Sequence, residues 1–140
     1  ERAGRPLPKL VARVDVCIGD SRQAAREAVR YFVALPLWVS HPDWSYAEAV
    51  GAAPDSDELR RLMARRDYRD IAAAAPLLPE AMIDHFSIAG TEEEVAERLR
   101  LLAPLIDQLV VHPVAAPGWA PERIIETVAR LWPGVIGASL

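Results

Sequence analysis

The sequence predicts an α/β fold with two parallel strands and a helical insertion between them. Three observations predict it. Residues 10–18 (Leu-Val-Ala-Arg-Val-Asp-Val-Cys-Ile) are rich in β-branched side chains and alternate with a period of two. Residues 106–112 (Ile-Asp-Gln-Leu-Val-Val-His) form a second short run of the same kind. The segments between them carry helical spacing, and strands separated by helices cannot form a hairpin, so the two should lie parallel across a crossover.

The first strand has one apolar phase (Leu10, Ala12, Val14, Val16, Ile18), while the other holds Val11, Arg13, Asp15 and Cys17 and is expected to meet polar surroundings. Gly19-Asp20-Ser21 ends it, and Asp20 with Gln23 three residues later reads as a helix cap and its partner. The helix that follows has Ala24, Ala25, Ala28, Val29, Phe32 and Val33 at helical spacing, with Pro36 as its expected end. Residues 36–84 read as the helical insertion, cut into pieces by Pro42, Gly51, Pro54, Pro76 and Pro79. Its clearest piece is 55–75, capped by Ser56 or Asp57, with Leu59, Leu62, Met63 and Ile71 as apolar positions. Thr91-Glu92-Glu93-Glu94 is a capping box with three acids on the positive end of the helix dipole, followed by Val95, Ala96, Leu99 and Leu102. After the second strand, 113–121 is a loop and 121–131 a closing helix with Pro121 in its first turn. Two strands do not make a stable sheet, and a parallel pair needs burial on both faces, so further strands are expected from elsewhere.

Composition narrows the function. The 140 residues are 51% hydrophobic, which suits a single segment with a real core. A net charge of -4 gives no basic footprint for nucleic acid or an anionic membrane. No apolar run approaches the roughly 20 residues of a membrane span, and one cysteine, Cys17, allows no internal disulfide, so a cytoplasmic protein is expected. One lysine, Lys9, among 16 basic residues is the bias of a GC-rich bacterial genome, and Glu1 in the place of a methionine leads us to expect that the natural start lies elsewhere.

The stretch Phe86-Ser87-Ile88-Ala89-Gly90-Thr91-Glu92-Glu93-Glu94-Val95-Ala96-Glu97-Arg98-Leu99, followed by Ile106-Asp107-Gln108-Leu109-Val110-Val111, resembles the C-terminal end of the bacterial luciferase-like monooxygenase family. Ala3-Gly4-Arg5, the first strand and Ala24-Ala25-Arg26 resemble that family's preceding strand and helix, so the likeness runs from about Ala3 to Val114. Pro104-Leu105 departs from the glycine that usually precedes the aliphatic-Asp pair. The resemblance implies the C-terminal portion of a TIM (β/α)8 barrel, with these strands as the seventh and eighth. It also implies an oxidoreductase or monooxygenase using FMN or coenzyme F-420. Such a barrel takes roughly 250 residues, and its sites lie at the C-terminal ends of the strands. The segment is therefore expected to supply barrel closure and a wall of the substrate pocket, to be inactive alone, and to self-associate through open sheet edges.

The pocket candidates are Arg13, Asp15, Trp38, His41, Trp44 and His112. Arg13 and Asp15 would point into the barrel lumen; the plain alternative is an internal ion pair. Trp38, His41 and Trp44, with Asp43 and Tyr46, mix aromatic and polar groups as pocket walls do, or anchor a turn around Pro42. His112 ends the last strand on the expected catalytic side, although a lone His before Pro also serves as a structural residue. Cys17 reads as inert packing, and the acids at both helix starts speak against phosphate binding at Gly19 or Gly90. No metal-ligand spacing is present, catalytic and cofactor-binding residues stay unassigned, and a small-molecule substrate is the expected partner. The competing reading is a non-catalytic helical interaction or oligomerisation module.

Overall fold

In a computed structural model, residues 8–132 are described. Ala3-Gly4-Arg5 lies outside them. β1 (Val11–Ile18) leads to the long helix α1 (Arg22–Ser40). The short helices α2 (Ser45–Glu48), α3 (Asp57–Ala64) and α4 (Asp70–Ala74) follow, then a 3-10 turn at Ala75–Leu77; a second lies at Ala103–Leu105, after α6. Next come α5 (Glu80–Phe86), β2 (Ser87–Gly90), α6 (Glu92–Leu102), β3 (Gln108–Pro113) and α7 (Pro121–Leu131).

The two expected strands are parallel neighbours, with Asp15 opposite His112 and Val16 opposite Pro113. The expected count of two is corrected to three. β2 lies parallel along the other side of β1, with Asp15 opposite Ser87 and Ile18 opposite Gly90, giving the order β2-β1-β3. β2 is only four residues long, and its Ser, Ala and Gly have little strand preference of their own; pairing with the fully buried end of β1 imposes it.

Both faces of the sheet are covered. Val16, Ile18 and Ile88 pack with Val95 and Leu99 of α6 and with Ile124 and Val128 of α7. On the other face Cys17 packs with Ala25, Val29, Val33 and Leu37 of α1 and with the insertion residues Leu59, Met63, Ile71, Met82 and Ile83. The face of Arg13, Asp15 and Cys17, expected to look into an open polar lumen, instead lies beneath α1 over its C-terminal half.

Three local expectations also change. Ser21, not Asp20, caps α1: its backbone is extended, and its hydroxyl accepts the Ala24 N–H at 3.2 Å. Asp20 instead accepts the Trp119 indole N–H at 2.9 Å. Pro36 does not end α1, which continues to Ser40, because Val33, Ala34 and Leu37 bury an apolar stripe that spans the missing hydrogen bond. The piece expected at 55–75 is broken after Arg65, where Arg66 turns left-handed (φ 57) and lays its guanidinium 4.2 Å from the centre of the Trp38 ring.

Arginines bind the insertion to the helices. Arg26 donates to Glu80 and Asp84, Arg30 to Glu80 and to the Leu78 carbonyl (3.0 Å), and Arg98 of α6 to the carbonyl oxygens of Asp84 and Ser87. The Arg26 hydrogen bond, with the Arg30 and Arg26 charges, outweighs partial burial and holds the Glu80 carboxyl below its ordinary range. Burial alone would raise Asp84, but the Arg26 hydrogen bond and the charges of Arg26, Arg22 and Arg98 outweigh it and hold this carboxyl low as well.

Three outcomes are expected. Lowered folded-state values mean that stability from Glu80 and Asp84 is complete above their ordinary values of 4.5 and 3.8, and drains away as pH falls through the folded ones. Urea melts of the wild type should therefore weaken over that acid range, and Glu80→Gln with Asp84→Asn should flatten the fall; an unchanged acid slope would discount the network. Thr91 and Glu94 form the complete capping box, with the Glu94 carboxylate accepting the Thr91 N–H at 2.9 Å. Thr91→Ala should cost about 1 kcal/mol in the same melts. Gly90→Ala should also destabilise, since a Cβ there would stand 2.5 Å from the Glu94 carboxylate.

Candidate functional site

In parallel sheets, ligands gather outside the C-terminal strand ends. Here those ends are tightly tied: Gly19 N–H donates to the Gly90 carbonyl at 3.0 Å, and Val114 N–H to the Val16 carbonyl at 2.8 Å. The loop after β3 folds over them through Gly118 (φ 77), whose left-handed backbone suits glycine, and seats the buried Trp119. Arg123 stacks 3.7 Å from the centre of that indole ring and donates to the Gly118 carbonyl at 2.9 Å.

Three of the expected pocket residues come together. His112 Nδ1 and Asp15 Oδ1 are 2.7 Å apart across β3 and β1, and the Arg13 guanidinium lies 3.7 Å from the same oxygen. The Asp15 side chain is 10% exposed and that of His112 38%. The Phe32 ring of α1 meets the imidazole edge-on at 5.3 Å. A carboxylate on Nδ1 fixes the orientation of the ring. Arg13, 63% exposed at its side chain, adds a positive charge.

The other three form a separate group. α1 starts at the C-terminal end of β1 and covers its face, so it runs back along the strand, and Trp38, His41 and Trp44 gather where α1 ends. His41 and Trp44 meet edge-on at 5.4 Å. Trp44 is buried, donates its indole N–H to the Leu37 carbonyl at 3.0 Å and faces Arg60. These contacts anchor the insertion to α1.

Sequence reasoning did not single out the charged hollow of about 360 Å³ beside β2, lined by Arg22, Asp84, Ala89, Glu94 and Arg98 among others. Arg22 pairs with Glu94 at 3.2 Å and with Asp84 at 4.0 Å. The spacing of Arg22, Arg26 and Arg30 at four-residue intervals was the available signal. Cys17 is fully buried, and burial pushes its thiol up to about 11, which leaves no nucleophilic thiolate at neutral pH. Among the described residues, no group of three or more His, Cys, Asp or Glu is placed to hold a metal ion, and no helix is long and apolar enough to cross a membrane.

The cluster and the hollow do not form a cradle for a flavin phosphate. The first turn of α1 is capped by Ser21, that of α6 by Thr91 and Glu94, and Arg22, Arg26 and Arg30 already have carboxylate partners.

No curated protein sequence matches the chain. Among solved structures, it aligns with the coenzyme F-420-dependent tetrahydromethanopterin reductase from Methanopyrus kandleri at a TM-score of 0.66 and 25% identity. The alignment covers 87% of this chain and 34% of the reductase, so the chain spans about a third of that protein's length. Residues 1–107 match the sequence profile of the luciferase-like monooxygenases. With that match over most of its length, the chain belongs to the luciferase-like monooxygenase family.

Proposed function

We propose that the chain is the C-terminal part of a luciferase-like oxidoreductase that acts on a small-molecule substrate in the cytoplasm with reduced FMN or coenzyme F-420. The observation that carries this reading is the match to the family, joined to the alignment with a coenzyme F-420-dependent reductase. The assignment of β1 and β3 as seventh and eighth strands does not hold, because β2, which follows β1 in the chain, takes the place beside β1 that the sixth strand would need. In the proposal the segment still belongs to a (β/α)8 barrel, which it closes and whose substrate pocket it walls. The Asp15–His112 pair, with Arg13, is the polar group offered to substrate, through the imidazole Nε2. Trp38, His41 and Trp44 hold the insertion in place rather than line the same pocket.

The division of labour rests on the absence of a phosphate cradle among the described residues: cofactor binding falls to the rest of the protein. A second reading, a non-catalytic interaction module, is favoured by one observation, the apolar groove of about 330 Å³ between β3 and α7.

Fluorescence titration of FMN and of coenzyme F-420 tests the proposal. The 140-residue chain should show no saturable binding at micromolar concentrations, while a polypeptide that also carries the family's remaining barrel segment should bind one of the two. Micromolar binding by the chain alone would overturn the division of labour. Failure of the longer polypeptide to bind either would remove the cofactor reading.

A further inference from the structure

We propose that the hollow beneath the C-terminal end of α6 is a binding site for a small apolar carboxylic acid. It measures about 240 Å³. Val14 and the buried Ile88 form its floor, Leu101, Leu102 and Leu105 its walls, and His85 and Arg98 its polar groups. Val14 and Ile88 share the sheet face of Val16 and Ile18, opposite that of Asp15 and Cys17, so the hollow is separate from the Asp15–His112 pair. The inference does not depend on the cofactor reading.

The charge of the lining sets the class of ligand. The hollows along α1 and beside Ala89 bring their arginines together with acids, Glu27 and Glu80 in the first and Asp84, Glu93, Glu94 and Glu97 in the second. The groove between β3 and α7 carries no charge. Beneath α6, a guanidinium and an imidazole meet aliphatic walls with no acid in the lining. Both Arg98 hydrogen bonds leave from Nη2 and go to backbone carbonyls, that of Asp84 and, at 3.4 Å, that of Ser87. They hold the guanidinium in place without neutralising it. Among the described residues, Arg98 has no ion-pair partner, and its Nε and Nη1 donate to no protein group. The carboxylate of Asp84, next to His85 in the chain, is taken up by Arg26 and Arg22.

A carboxylate fits this combination. A guanidinium offers it N–H donors in a fixed fork, and hydrogen bonds of that charge-assisted kind are about twice as strong as neutral ones. The exposed His85 imidazole adds a ring N–H. The rest of the ligand is apolar, because Val14, Ile88 and the three leucines give a polar group no partner, and burying one unpaired is costly. Its size is bounded as well. At ~30 Å³ for each water-sized group, 240 Å³ admits about eight heavy atoms, the size of hexanoate. Leu101 and Leu105 are exposed, and an aliphatic tail laid against them removes apolar surface from water. α6 runs back from the C-terminal end of β2 toward the start of β3, so the hollow faces the N-terminal strand ends. Reaction sites of parallel sheets gather at the other end, and the acid bound here is the ligand of a second site rather than the reacting substrate.

Amide NMR spectra of the 140-residue chain, titrated with sodium hexanoate, are the test. Saturable shifts at Ile88, Leu102 and Leu105 are expected at millimolar concentrations, with hexanamide, the neutral counterpart, bound about tenfold more weakly. Arg98→Gln should remove the preference for hexanoate over hexanamide. Because Arg98 also ties α6 to the corner before β2, a second pair of variants at the exposed Leu105 spares the fold. Leu105→Glu, which sets an acid at the mouth, should weaken hexanoate severalfold, and Leu105→Gln should leave it nearly unchanged. Neither FMN nor coenzyme F-420 enters this titration, so its outcome is independent of the cofactor titration. Absence of saturation, equal affinity for hexanamide, shifts centred on Leu109 and Ile125 instead, or hexanoate binding unmoved by Leu105→Glu would each overturn the proposal.

Discussion

The constraint on which the rest of the structure depends is that a parallel sheet must be buried on both faces. A closed barrel meets it with one helical ring, because the strands' own side chains fill the interior. Three strands cannot close in that way. This chain meets the same demand with helices on both sides: α1 and the insertion cover the face of Cys17, and α6 and α7 cover the face of Val16 and Ile18. The order β2-β1-β3 follows, because β1 is the one strand with neighbours on both sides and carries four consecutive fully buried or nearly buried residues from Asp15 to Ile18.

The parts of the fold legible in the sequence were those with a strong local cause. The capping box at Thr91 and Glu94 is a self-contained exchange of hydrogen bonds, and the β-branched runs of β1 and β3 have no other regular conformation that suits them as well. The missed parts are decided at long range. β2 exists because β1 offers it a ladder. Pro36 is tolerated because residues on either side of it are buried. Asp20 gave up its cap to Ser21 where Trp119, 99 residues away, supplied an indole donor. The candidate site divides in the same manner. Arg13 and Asp15 share a strand face by simple alternation, but His112 joins them only through the β1–β3 register, which sets it opposite Asp15.

Asp15 also shows how a polar residue is accommodated in this sheet. Left alone, a carboxylate in a nearly buried position would be costly, and its charge is met by the His112 imidazole and by Arg13 at the exposed end of the same strand. That arrangement needs β3 in register, so the packing of the sheet edge and the Asp15–His112 pair depend on each other.

Charge is spent unevenly around the molecule, and this unevenness bears on both readings of its function. The arginines on α1 are matched by Glu80, Asp84 and Glu94, and these pairs gather around the insertion and the β2 edge. Each carboxylate so used neutralises a cation that could otherwise have met a phosphate, and the capped first turns of α1 and α6 leave few free N–H donors there. The same pairs protect β2 from strand addition, while β3 is left with Leu109, Val110 and Val111 at its outer edge. The two edges of the sheet therefore differ in charge: ion pairs gather beside β2, and β3 is apolar along its outer side.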